Sequence, residues 1–288
     1  MNKNFQEMFA KAKQEKRGSL IGFVTGMDPN YKTSKKILIE MSKHCGAVEV
    51  GIPFNTSTSD SATIMDANMR AIKAGANTEK IFKLIKEVKS EIKNNVPFLI
   101  MTYMNPIFRY SIKKFAKKCK ASNVDGLIIV DSNNNSPEDK ELSKELRKIN
   151  VAYVKLVAPT NDEAFIKETL KKCSSWIYVV SYAGLTGSKQ VNLGNVKKIS
   201  KLIRKNSKIP IGVGFGIRTK SDVSKVIKIA DATIVGSGIV DIVGKNSRNH
   251  NLTKKIDIAY VKLVATTNDD TFIKEALNKC TSWIYLVS

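Results

Sequence analysis

Eight short apolar runs, each followed by a stretch of helical length, recur along the chain and constrain its fold more than any other feature. They read LIGFVT (20–25), AVEVGI (47–52), PFLIMT (97–102), GLIIVD (126–131), AYVKLV (152–157), WIYVVS (176–181), PIGVGF (210–215) and ATIVGS (232–237). Runs of this length bounded by turn residues are strands buried on both faces. Between them apolar residues recur at helical spacing. Ile81, Leu84, Ile85, Val88 and Ile92 form one stripe, with Thr78 placed to cap its start; Val196, Ile199, Leu202 and Ile203 form another. Eight strand-plus-helix units predict a (β/α)8 TIM barrel. A doubly wound open sheet would need fewer strands and a glycine-rich first turn, which FVTGMDP (23–29) is not. The barrel is expected over residues 1–243, opened by an extra amphipathic helix carrying Phe5, Met8 and Phe9.

Composition excludes several classes. No apolar run approaches the roughly eighteen residues of a membrane span, and the amino-terminal stretch has no apolar signal core, so a cytoplasmic protein is expected. The net charge of +22 invites a nucleic-acid reading, but 41 of the 48 basic residues are Lys, scattered over every helix. Bidentate phosphate and base contacts favour Arg, so no nucleic-acid partner is expected. Cys45, Cys119, Cys173 and Cys280 are widely separated and His44 and His250 stand in no motif, which leaves no metal site and no His-dependent triad.

The stretch VEVGIPFNTSTSD (48–60) raises the chemical question. Glu49 sits in an apolar strand, where a carboxylate is costly unless paired, hydrogen-bonded or at work. Simple alternation offers the plain alternative, with Val48 and Val50 inward and Glu49 toward water. Late in the chain, GVGFGI (212–217) and GSGIV (236–240) end the seventh and eighth strands. Loops at those two positions hold phosphate in many such barrels, on backbone N–H groups and a short helix start, and Gly216, Gly236 and Ser237 are small enough to allow it. Tight turns alone would also explain the glycines. Neither segment fits a dinucleotide or Walker pattern. SYAGLTGSKQVN (181–192) has the polar, glycine-bearing composition of a lid.

Taken in order, FVTGMDP, VEVGIPF, TIMDANMRAIKAG, MTYMNPIFRY, VDGLIIVD, SYAGLTG, GFGI and IVGSGIV make the chain resemble the alpha subunit family of tryptophan synthase, from the opening helix to about residue 243. The resemblance implies a lyase that cleaves indole-3-glycerol phosphate to indole and glyceraldehyde 3-phosphate, without metal or cofactor in this chain. It implies a pyridoxal-phosphate-dependent beta subunit as partner in an alpha2beta2 complex. By position Glu49 matches the acid/base carboxylate, and Asp60 the carboxylate that holds the indole N–H. Phe23, Tyr103, Leu156, Tyr178 and Phe215 match walls around the indole ring. Gly187, Gly216, Gly236 and Ser237 match the phosphate cradle, and Thr186 the threonine that orders the lid against Asp60.

Two departures stand out. Residues 55–62, NTSTSDSA, lack the two prolines, the glycine and one acid of the family's loop, which implies a loosely aimed Asp60 and weak or partner-dependent activity. DSNNNSPED (131–139) likewise replaces a more proline-rich segment. Beyond the barrel, 244–257 reads as a linker, and 258–288 repeats 151–181 with 23 of 31 positions identical at a constant offset of 107. A closed barrel offers this strand–helix–strand copy no sheet edge. Three fates remain open to it: exchange with its parent segment, disorder, or, the preferred expectation, docking of the helix around Phe272, Ile273, Ala276 and Leu277 on the outer face near the first and eighth strands. Deleting 251–288 should then lower the thermal midpoint; an unchanged calorimetric trace would show that nothing docks.

Overall fold

The computed structural model describes residues 2–56, 59–181, 193–214, 216–217 and 220–247. Its eight strands are β1 (Ser19–Thr25), β2 (Ala47–Gly51), β3 (Phe98–Thr102), β4 (Gly126–Ile129), β5 (Ala152–Val157), β6 (Ile177–Val180), β7 (Ile211–Gly214) and β8 (Ala232–Val235). They pair in parallel in sequence order, and β8 returns to β1 to close the barrel. Each predicted strand is present. The helices are α1 (Lys3–Gln14), α2 (Tyr31–His44), α3 (Ala62–Lys73), α4 (Thr78–Glu91), α5 (Met104–Tyr110) and α6 (Ile112–Ala121). They continue as α7 (Pro137–Lys148), α8 (Glu163–Lys172), α9 (Leu193–Asn206), α10 (Lys220–Val226) and α11 (Ser237–Lys245). None is long and apolar enough to cross a membrane.

One cap differs from expectation. Asn77, in an extended conformation, accepts the Lys80 N–H at 2.9 Å, and Thr78 is the first helical residue instead. A short amide side chain one residue earlier meets the exposed N–H better than a hydroxyl already inside the helix. The expected linker also starts late, because α11 is still helical at Lys245. The remainder of 244–257 beyond residue 247, and the repeat 258–288, lie outside the described residues.

Alternation sorts the strand side chains into two layers. Val24, Val48, Val50, Phe98, Ile100, Leu127, Ile177 and Val213 pack outward in the core shared with the helices. Ile21, Ala47, Leu99, Ile128, Val154, Trp176 and Ile234 point into the barrel. The N-terminal strand ends are stoppered by α1. Phe5, Met8 and Phe9 join the inner cluster, with the Phe5 and Trp176 rings 6.1 Å apart. Gly126 makes room there, since a Cβ would stand 3.0 Å from the Phe5 ring. Asp125 ties this stopper down by accepting from Asn4 Nδ2 at 2.6 Å, Lys89 Nζ at 3.0 Å and the Phe98 N–H at 2.8 Å. With one end plugged, only the end where the strands finish can admit a ligand.

One outward residue departs from the apolar pattern. Lys155 on β5 is buried with its ammonium on both Asp139 oxygens, at 2.6 and 2.8 Å, and 3.7 Å from the Tyr153 ring centroid. Tyr153 and Ser132 also donate to Asp139. Removing one partner would strand the other charge, so Asp139→Ala should destabilise the barrel by about 3–5 kcal/mol. Replacing both with apolar residues, Asp139→Leu with Lys155→Met, should recover most of that. Urea unfolding of the three variants checks the pair.

Candidate functional site

The open end holds a cavity walled by Phe23, Glu49, Asp60, Tyr178, Gly216, Gly236 and Ser237, together with apolar residues from the inner strand faces. Glu49 is its most unusual member. It lies on the inward face of β2, level with Phe23 of β1 and Leu99 of β3. Of the two arrangements that alternation allows, the barrel has the one that puts the acid to work: Val48 and Val50 face the helices, and Glu49 faces the barrel interior rather than water. Its side chain is fully buried, and among the described residues neither carboxylate oxygen has a hydrogen-bond partner. Burial with no compensating donor raises its pKa to about 8. The carboxyl is therefore largely protonated at neutral pH. The same burial, and then the Glu49 charge, push the Tyr178 phenol well above its ordinary value.

Two aromatic rings bound the space around Glu49, and glycines admit them. A Cβ on Gly51 would stand 2.9 Å from the Phe23 ring, and one on Gly236 3.2 Å from it. A Cβ on Gly214 would overlap the Tyr178 hydroxyl. These glycines are needed for space, apart from any turn.

Asp60 reaches the same cavity from the loop after β2, immediately before α3. Ser61 caps that helix by accepting the Ile64 N–H at 3.4 Å. The carboxylate accepts from Asn68 Nδ2 at 3.2 Å. After β7, Gly216 has φ +72°, a conformation natural only to glycine. Gly236 and Ser237 form the start of α11, whose first N–H groups lack intrahelical acceptors and carry the positive end of the helix dipole. An anion at that helix start would share the cavity with the two acids.

The structure thus brings together Glu49, Asp60, Phe23, Tyr178, Gly216, Gly236 and Ser237. Tyr103 and Leu156 are not part of the described wall. Tyr103 stacks on Phe54 with centroids 4.9 Å apart, and Leu156 packs against the inner cluster. Thr186, Gly187 and Phe215 lie outside the described residues. Sequence reading passed over Ile64, Met101 and Ile234, which complete the apolar wall. Their signal was parity: Met101 lies two residues beyond the inward Leu99, and Ile234 two beyond the inward Ala232. Among the described residues no cluster of three or more His, Cys, Asp or Glu side chains is arranged to hold a metal ion.

Comparison with known proteins adds a family. The model described as tryptophan synthase alpha chain matches residues 9–255. The tryptophan synthase alpha chain of Methanocaldococcus jannaschii is 40% identical over 240 residues, 83% of this chain and 84% of that protein. A solved structure from Aquifex aeolicus VF5 superimposes with a TM-score of 0.81 at 28% identity, covering 90% of this chain and 97% of the other. A chain of the Pyrococcus furiosus tryptophan synthase a2b2 complex does so at 0.78 and 28%, covering 85% and 97%.

Glu49 couples the site to stability. In the unfolded chain it ionises near its ordinary value of 4.5, in the barrel near 8. Between these limits the folded form binds the extra proton, so stability falls as pH rises through that window. Glu49→Gln removes the ionisation. Its thermal midpoint should exceed the parent's by several degrees at pH 8, and the gap should close toward pH 4.5. Calorimetry at both pH values checks this.

Proposed function

Because the chain belongs to the tryptophan synthase alpha chain family, a lyase family that cleaves indole-3-glycerol phosphate in tryptophan biosynthesis, we propose that Glu49 and Asp60 carry that cleavage here. The observation that carries this reading is an unpaired, fully buried carboxyl, raised to about 8, at the floor of the cavity. A barrel kept only as a scaffold would gain stability by replacing it, since an uncompensated buried acid is costly. That argues against an inactive subunit whose sole role is to support a partner.

In this reading the protonated Glu49 gives its proton to the indole ring carbon that bears the glycerol chain. Asp60 accepts the indole N–H and offsets the positive charge that develops on the ring. The Glu49 carboxylate, now uncomfortable in its apolar setting, takes the proton of the adjacent glycerol hydroxyl. The carbon–carbon bond breaks, its electrons return to the ring, and the hydroxyl carbon becomes the aldehyde of glyceraldehyde 3-phosphate. The proton donated and the proton recovered balance, so one side chain serves as acid and then base. Gly216, Gly236 and Ser237 receive the phosphate on backbone N–H groups, with Gly187 as a further contributor. Phe23, Tyr178, Met101 and Ile64 sandwich the ring. Thr186 orders the lid.

The partner in this reading is a tryptophan synthase beta subunit in an alpha2beta2 complex, as in Pyrococcus furiosus. Pyridoxal phosphate belongs to that subunit, and this chain's step needs only its own side chains. We place the reaction in the cytoplasm; the free thiols of Cys119 and Cys173 fit a reducing compartment.

Indole release from indole-3-glycerol phosphate, measured for the full chain with and without beta subunit, tests the proposal. Glu49→Gln should lower kcat by about 10²–10⁴-fold in both settings. Parental turnover by that variant would remove Glu49 from the chemistry.

A further inference from the structure

We infer that Asn68 is a positioning residue that aims the Asp60 carboxylate; this rests on the reading of Asp60 given above. Asn68 is buried on α3, one turn below Ile64, on the face that meets β1. Side chains on a helix tilt toward its N-terminus, and the N-terminus of α3 directly follows Asp60. The amide therefore points back at the acid.

Each polar atom of that amide is committed. One N–H donates to Asp60 Oδ2 at 3.2 Å, the other to the Phe54 carbonyl at 3.2 Å. The amide oxygen accepts from Thr25 Oγ1 at the end of β1, at 3.3 Å. Two donors and one acceptor thus tie α3 to the last residue of β1 and, at Phe54 and Asp60, to two points of the loop after β2. The helix is also clamped. Two residues further on, Arg70 makes a two-pronged ion pair with the buried Asp28, both contacts at 2.8 Å. The donor that meets Asp60 therefore stands on a rigid element anchored to the barrel, not on the loop.

This matters because the loop lacks the prolines and glycine that would stiffen it. A carboxylate on such a segment samples many directions, and an error of about 1 Å can cost on the order of a hundredfold in rate. A fixed amide holding one oxygen sets the plane of the carboxylate and the lone pairs it presents to an indole N–H. The aim comes from α3 rather than from the stiffness of residues 55–62.

The full chain with Asn68→Ala, and separately with Asn68→Asp, tests the assignment. The second variant keeps the shape but replaces the donors with acceptors. Both should fold, with kcat for indole-3-glycerol phosphate down roughly ten- to hundredfold and KM within about threefold of the parent. A structural role alone would lower the melting midpoint and the active fraction while leaving kcat per folded molecule unchanged. That outcome overturns the inference, as does failure of both variants to fold or parental kcat in both. Asp60→Asn, measured alongside, separates the two readings. If it turns over at the parental rate, the role of Asp60 fails; if it is slow while both Asn68 variants are fast, only the positioning role fails.

Discussion

Closing eight parallel strands into a ring leaves no sheet edge and no solvent-facing side. Every second side chain must then lie either under the helices or inside a lumen just wide enough to be filled. Everything at the site follows from that confinement. The lumen is packed at one end by Phe5, Met8, Phe9 and Trp176, so a cavity can exist only at the other. The wall there must be small where rings need room, which Gly51, Gly214 and Gly236 supply. A carboxyl on an inward position is cut off from water whatever its neighbours.

Glu49 shows what this confinement does electrostatically. Among the described residues no Lys, Arg or N–H compensates it, so desolvation acts alone and keeps the proton on. The contrast with two of the other buried acids, Asp139 and Asp125, is instructive. Asp139 accepts from Lys155, Tyr153 and Ser132, and Asp125 accepts from Lys89, Asn4 and a backbone N–H. Those two stabilise the barrel by tying helices and strands together. Glu49 ties nothing, and its energetic cost is borne in the cavity, where a proton to give away has a use.

Much of the fold was legible because both faces of a parallel barrel strand are apolar, and the eight runs are therefore continuous. Gly216 and Gly236 at the cavity were legible by their place after the seventh and eighth strands. Other features were not. The helix cap at Asn77 rather than Thr78 turned on a one-residue difference in backbone conformation, which spacing cannot resolve. Lys155 stood unremarked within AYVKLV, since its partner Asp139 stands 16 residues earlier, on a helix. Asn68 lay inside a recognised motif without a role, because its contacts to Thr25, Phe54 and Asp60 form only when β1, the β2 loop and α3 converge.

By itself the sequence determined the number of strands, their parallel order, the alternation within each, and the family to which the chain belongs, because these depend on local periodicity and on motifs in register. It also marked Glu49 and Asp60 as the acids to watch. Which face of each strand became the lumen was settled only by closure, and with it whether Glu49 met water or hydrophobic wall. The proton affinity of Glu49 and the direction of Asp60 belong to the tertiary structure for the same reason. Desolvation and a hydrogen bond from a neighbouring helix are properties of a three-dimensional surrounding that no residue carries within its own stretch of chain.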